Sequence, residues 1–368
     1  MPQATPFTTA VIRLLRPFIR VAIRRRPITP PRKALILKPC CMSQVLLATP
    51  LLRQLEQAYP DAQFDWAVTE WARPAIATNP RVSHIIPTGN VGLPHATWGE
   101  IFAFARSLRD QQYDTCFIPS SSSVLSLIPW LAGIPQRVGL DVNGRGFAHT
   151  LPVRPPADGH TAEQYLALAT ALGLDTAAAR TEFFPSDASR TQMTERLVDE
   201  MGWLGDVPLV MMHPGGGTNP AYPDPRKQWP AERFARLGNH LVRQYGAKVL
   251  LVGSAEEAPL AASVAGMMSA AVLNLAGKTT LGELGALGEV ASLYVGNDAG
   301  ATHVAAAVGC PVLAIYGPNS PAFSRPYVGR SQGLATAWQA YEEPFTWEKG
   351  ISTAEVIRLA DELLGGGA

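Results

Sequence analysis

From Lys33 onward, short apolar runs alternate with stretches whose apolar residues recur every three or four positions. Such alternation restricts a chain to a parallel sheet with helices on both faces. ALILK (34–38), FDWAV (64–68), VSHIIP (82–87), YDTCFIP (113–119) and RVGL (137–140) are predicted strands. Between and after them, 45–59, a stretch near 97–109, 124–131 and 160–174 are predicted helices, with Thr161 expected to cap the last and Gly173 to end it. A second series follows the polar segment 181–205. It has strands at 207–214, 248–253, 293–297 and 311–317, helices at 230–246, 256–268 and 301–309, the segment TLGELGALGEV (280–290) left unassigned, and a capped amphipathic helix at 352–365.

The length of 368 residues favours two cores over one. The expected divisions are a leader 1–32, a first Rossmann-like domain 33–180, a linker 181–205, a second such domain 206–335, and a terminal segment 336–368. A charged fraction of 17% and a mean hydropathy of +0.05 describe a globular chain and exclude a disordered one. Four irregularly placed cysteines (Cys40, Cys41, Cys116, Cys310) suggest a reduced, unbridged protein. The histidines lack the paired spacing of a zinc site, so no metal is expected.

The net charge of +1 conceals an asymmetry. Residues 1–33 carry eight Arg or Lys and no acid, leaving 23 basic against 30 acidic residues in the remainder. In VIRLLRPFIRVAIRRR, Ile12, Leu15, Phe18, Ile19 and Ile23 recur at helical spacing among arginines. That pattern suits an interfacial helix on anionic headgroups, with residues 11–26 as the contact and no nucleic acid as partner. No uncharged apolar run is long enough to span a bilayer, so the protein is expected in the cytoplasm, peripheral to the inner face of the membrane.

Ligands in open α/β sheets gather beyond the carboxyl ends of the strands, which directs attention to three loops in the second half. HPGGGTNPAYPDPRKQWP (213–230) offers Gly215, Gly216 and Gly217, whose backbone can approach an anion, and Lys227, placed to meet a phosphate. GSAEEA (253–258) opens a helix with Glu256 and Glu257, either for the helix dipole or to accept sugar or ribose hydroxyls. GNDAGATHVAAAVG (296–309) places Asp298 as a cap on a helix that opens with small residues, so that a diphosphate can reach its N–H groups.

In order and spacing, HPGGG…RKQWP, GSAEE and NDAGATHVAAAVGCPVLAIYGPNSP resemble the family 9 glycosyltransferases, which are heptosyltransferase-like. LLATPLLRQLEQAYPDAQFDWAV, YDTCFIPSSSS, GIPQRVGLD and HTAEQYLALATALG extend the resemblance over residues 33–365. It implies a GT-B fold: two Rossmann-like domains facing across a cleft, with a final helix crossing back to the first. It also implies inverting, metal-independent and cofactor-free transfer from a nucleoside-diphosphate sugar, often ADP-heptose, to a surface-glycan or lipid-linked acceptor. Carried over by motif, the backbone around Ala299, Gly300 and Ala301 would hold the diphosphate. Gly216, Gly217, Thr218 and Lys227 would add hydrogen bonds and charge, Glu256 would meet the sugar or ribose, and Asp298 with His303 would shape the helix end.

At one position the chain departs from that pattern. Where the family has Gly-Asp, with the Asp as general base, this sequence has Ser43-Gln44. A carboxamide takes no proton near neutral pH, and neither Ser43, Cys40 nor Cys41 has an adjacent activator. Asp141, at a strand end, is one candidate replacement. The competing readings are a nucleotide-sugar-binding protein with a regulatory or assembly role, and a sugar-nucleotide epimerase; a nicotinamide dehydrogenase is disfavoured by the missing glycine fingerprint.

Overall fold

The computed structural model describes residues 17, 19, 23, 27–217, 224–329 and 332–365. The chain divides into two units, Met1–Arg180 and Thr181–Ala368.

In the first unit, β1 (Lys33–Leu37), β2 (Gln63–Val68), β3 (His84–Pro87), β4 (Thr115–Ile118), β5 (Gln136–Leu140) and β6 (Leu151–Val153) form a sheet in the order β3-β2-β1-β4-β5-β6. Every pairing is parallel, with Lys33 opposite Gln63 and Ala34 opposite Thr115 on the two sides of β1. Helices cover both faces, so β1 is apolar from Ala34 to Leu37 and Leu35, Ile36 and Leu37 are fully buried. The strand order reverses between β1 and β4, which makes the loops leaving those strands the natural ligand position.

The second unit repeats the plan. Its strands are β7 (Leu209–His213), β8 (Lys248–Leu251), β9 (Leu273–Asn274), β10 (Leu293–Asn297), β11 (Val312–Ile315) and β12 (Leu334–Ala337). They lie in the order β12-β11-β10-β7-β8-β9, again all parallel, with the reversal between β7 and β10. The strands β6, β9 and β12 were not expected from the sequence. All three are short edge strands, which bury less of their surface and so carry little apolar signal.

Several expectations are corrected. The helix expected over 45–59 is two, Met42–Leu46 and Thr49–Ala58, because Pro50 sits in a first turn, the place where its missing N–H does no harm. His160, not Thr161, caps the Thr161–Thr170 helix: its Nδ1 accepts from Ala162 N (3.1 Å) and Glu163 accepts from its backbone N–H (3.0 Å). The segment 181–205, read as a linker, contains the helix Asp187–Met201, ended by Gly202 at φ 55°. That helix buries only Met193 and Leu197, too narrow a stripe to stand out, and Arg190 clamps it to Glu289 at 2.7 and 2.9 Å. The final helix, Thr353–Gly365, is built into the second unit, where Val356 and Ala360 are buried and it packs on the Ala231–Tyr245 helix and on β11 and β12. Cys40 and Cys41 are joined as a disulfide, against the expectation of an unbridged chain, while Cys116 and Cys310 are free and buried.

Most of the basic leader lies outside the described residues. Of its apolar stripe, Ile19 is 5% exposed and clusters with Leu127, Phe147 and Ala148, and Ile23 packs alongside. These two side chains are therefore spent on the first unit rather than left for a lipid surface. Among the described residues no helix is long and apolar enough to cross a membrane.

The Trp98–Asp110 helix starts with a reciprocal capping box: Thr97 Oγ1 accepts from Glu100 N, and Glu100 accepts from Thr97 N at 2.7 Å. Thr97→Ala is expected to destabilise the first unit by about 1 kcal/mol, seen as a lower urea midpoint with an unchanged slope.

Candidate functional site

The loops leaving β7 and β10, on either side of the strand-order reversal in the second unit, converge on one helix end. Gly300–Ala307 begins with Ala299 as N-cap, and no side chain caps it. Asp298 was expected to be that cap. It pairs instead with Lys227, whose Nζ donates to Asp298 Oδ2 at 2.7 Å, and it also accepts from Asn319 at 3.3 Å. The helix end is thus left to its backbone N–H groups and dipole, with an ammonium group fixed beside it. Ala299 is 7% exposed, while Gly300 and Ala301 are half-buried. His303 is 2% exposed, one turn inside the helix, and belongs to its buried face.

Two buried side chains hold the loop after β7, one of them unremarked in the sequence and the other named there only beside Glu256 as a helix-opening acid. Asn297, the last residue of β10, is fully buried; its Nδ2 donates to the carbonyls of Pro214 and Gly215 (2.9 Å each) and its Oδ1 accepts from Trp229 N (3.1 Å). One amide therefore ties both ends of the loop to the strand. Glu257 is the other. It accepts from His213 Nε2 (2.9 Å), Gly217 N (2.8 Å) and Ser254 N (2.8 Å) at 8% exposure. Burial pushes this carboxyl up, but the hydrogen bonds from His213, Ser254 and Gly217 outweigh it and hold the group at about 2.

Glu257, not Glu256, is therefore the carboxylate built into the site; Glu256 is exposed. The two are adjacent, and a helical turn turns one inward and the other to solvent, a choice that sequence spacing leaves undecided. The glycines follow from the same crowding. A Cβ on Gly215 would lie 1.9 Å from Glu257 Oε1, and one on Gly217 would lie 3.2 Å from Ala299 Cβ. Gly217 also has φ +73°, a left-handed conformation that favours glycine. Gly216 packs against Gln228. Thr218 lies outside the described residues.

At the corresponding reversal of the first unit, β1 runs into Lys38, which is 6% exposed. Its Nζ donates to the Tyr165 hydroxyl at 2.7 Å and lies 4.5 Å from the centre of that ring. The Tyr165 hydroxyl in turn donates to Gln44 Oε1. Burial alone lowers the Lys38 ammonium to about 7 and pushes the Tyr165 phenol up. Gln44 and Ser43 are half-buried on the Met42–Leu46 helix, which no side chain caps. Asp141 accepts from Gly146 N at 2.9 Å and so closes its own loop. Lys38 went unremarked because a lysine ending a strand looks like any surface cation until its partner, 127 positions away, is known. Among the described residues no group of three or more His, Cys, Asp or Glu side chains is arranged to hold a metal ion.

The model of glycosyltransferase family 9 (heptosyltransferase) matches residues 101–344. Lipopolysaccharide heptosyltransferase 2 of Escherichia coli K12 is 30% identical over 305 residues, 80% of this chain and 85% of the relative. An Escherichia coli lipopolysaccharide heptosyltransferase 3 is 26% identical over 346 residues, 87% of this chain and 96% of the relative. Among solved structures, a family 9 glycosyl transferase from Veillonella parvula superposes with a TM-score of 0.81 at 23% identity, covering 94% of this chain and all of that one. The Escherichia coli ADP-heptose lipopolysaccharide heptosyltransferase II gives 0.71 at 26% identity, covering 91% and 99%.

Proposed function

The chain belongs to glycosyltransferase family 9, and from that premise we propose that it transfers a heptose-like sugar from an ADP-linked donor to a lipopolysaccharide-type acceptor, inverting the anomeric centre without a metal. The observation that carries this reading is the uncapped end of the Gly300–Ala307 helix with Lys227 fixed beside it. A diphosphate placed there meets the N–H groups of Gly300 and Ala301, the positive end of the dipole, and one ammonium. As the bond from the sugar to the diphosphate breaks, negative charge grows on the leaving oxygen, and these groups are positioned to stabilise it. Asp298 holds the Lys227 side chain in place until the diphosphate arrives. Glu257 and Asn297 keep the glycine loop against the helix, so the loop needs little reorganisation on binding. The ADP preference and the acceptor class rest on what the solved and curated relatives are named for. Action at the inner face of the cytoplasmic membrane rests on that acceptor class and on the basic residues of the leader.

A second reading is favoured by one observation, the carboxamide at position 44 with its Oε1 already taken by Tyr165: a donor-binding protein without transfer. Incubation of the full chain with ADP-heptose and lipopolysaccharide from a strain lacking its heptosyltransferase 2 decides between them. Release of ADP that depends on the acceptor supports transfer. Tight ADP binding with no acceptor-dependent release supports the second reading and removes the first. For the donor site itself, Lys227→Met is expected to weaken ADP binding about tenfold in calorimetric titration at a temperature where the variant is fully folded, the loss of one charge-assisted contact. Unaltered affinity would remove Lys227 from the diphosphate site.

A further inference from the structure

The first unit contains a buried titratable chain that the donor chemistry leaves unused. Lys38 lies at the carboxyl end of β1, beside the strand-order reversal, and is linked through the Tyr165 hydroxyl to the side chain of Gln44. Lys38 and Tyr165 are 6% and 4% exposed, and Gln44 is the half-buried member. The chain therefore runs from the interior to a position that a ligand can reach. No ion pair to Lys38 is present among the described residues. The groups around it are Tyr165 on the Thr161–Thr170 helix, Gln44 on the Met42–Leu46 helix, and Trp66 on β2, whose indole N–H donates to the Lys38 carbonyl at 3.3 Å. A lysine that only stabilised the fold would be expected to have a carboxylate partner or to extend its ammonium group to water.

We propose that Lys38 is the terminal proton acceptor for the attacking hydroxyl, reached through the Tyr165 phenol, with Gln44 orienting that hydroxyl. The proposal rests on the transfer reading above. In the step, Gln44 Oε1 releases the phenol as the acceptor binds, the acceptor O–H takes its place and hands its proton to the Tyr165 oxygen, and the Tyr165 proton, turned away from Gln44, passes to the lone pair of the neutral Lys38 amine. The acceptor oxygen forms its bond to the anomeric carbon, the bond from that carbon to the diphosphate breaks, and its electron pair leaves with ADP. The proton ends on Lys38 as an ammonium and returns to solvent after product release. A phenol oxygen can accept and donate at once, so it conducts a proton without itself becoming ionised. Gln44 takes no proton; its carboxamide holds the phenol between turnovers and can donate to the acceptor oxygen. Burial places the Lys38 amine near neutrality, where a base is most effective at physiological pH.

The test is the pH dependence of kcat/KM for ADP-heptose with lipopolysaccharide lacking the second heptose, measured on the full chain. The wild type is expected to lose about tenfold per pH unit below about 7. Lys38→Met and Tyr165→Phe are each expected to lower kcat/KM by about 10²-fold or more and to abolish that limb, with a retained cooperative urea transition of the first unit as the folding control. Gln44→Asp added to Lys38→Met is expected to restore transfer, with the limb moved down to the carboxylate range, an effect that a structural role for Lys38 would not produce. A Lys38→Met protein with wild-type rate and profile overturns the relay while leaving transfer in place. Failure of Gln44→Asp to rescue a well-folded Lys38→Met protein also overturns it. Absence of transfer by the wild type overturns the transfer reading and the relay with it.

Discussion

Glu257→Ala is expected to lower the unfolding free energy of the second unit by about 3–5 kcal/mol, the range seen when one partner of a buried charged network is removed. Its carboxylate satisfies His213 Nε2, Gly217 N and Ser254 N together, and an alanine leaves these three donors without their shared acceptor. His213 is 2% exposed and its Nδ1 has no partner among the described residues, so it has nowhere to turn. Glu257→Gln keeps the shape but replaces one oxygen with an NH₂ facing N–H donors, and should fall between the two. Urea titration measures the loss, and ADP calorimetry should show donor binding weakened in parallel because Gly217 is released.

The pH dependence distinguishes this effect from simple loss of packing. The folded carboxyl is held at about 2, below its ordinary value of 4.5, so its stabilisation is fully present above about 4.5 and is lost as pH falls toward 2. The stability gap between wild type and Glu257→Ala should therefore narrow steadily across that window. A gap that stays constant would mean that the carboxylate charge contributes nothing.

Asn297→Ala is expected to cost about 2–4 kcal/mol, because it strands two carbonyls and one N–H in a fully buried position. Asn297→Asp should be at least as damaging, since a carboxylate would then face the oxygens of Pro214 and Gly215. Chemical denaturation checks the ranking, and a preserved melting temperature in either variant would contradict the role assigned to the amide. Both Glu257 and Asn297 hold the same loop. The double alanine variant should therefore lose less than the sum of the single losses, because the second change acts on a loop already freed.

The strand and helix positions near the sheet centres were legible in the chain because strands buried on both faces are mostly apolar. ALILK, FDWAV and LYVGN leave no alternative, and the structure places β1, β2 and β10 there. The loops that converge on the Gly300–Ala307 helix end were legible for a related reason: backbone can approach closely only where side chains are absent, so Gly215, Gly217 and the small residues after Asp298 stand out. The edge strands β6, β9 and β12 and the Asp187–Met201 helix were not legible, because they bury too little to leave a pattern.

The site's inner supports were a different matter. Whether Glu256 or Glu257 turns inward, and whether Asp298 caps a helix or pairs with Lys227, depends on hydrogen bonds between residues 40 or more positions apart. By itself the sequence determined the doubly wound plan, the small-residue loops that we propose for an anion, and the absence of a carboxylate at position 44. Only the tertiary structure decided that Gln44 is joined through Tyr165 to a buried lysine. Burial and long-range contact set the protonation of such a group, and neither is a property of the residue or its neighbours in the chain.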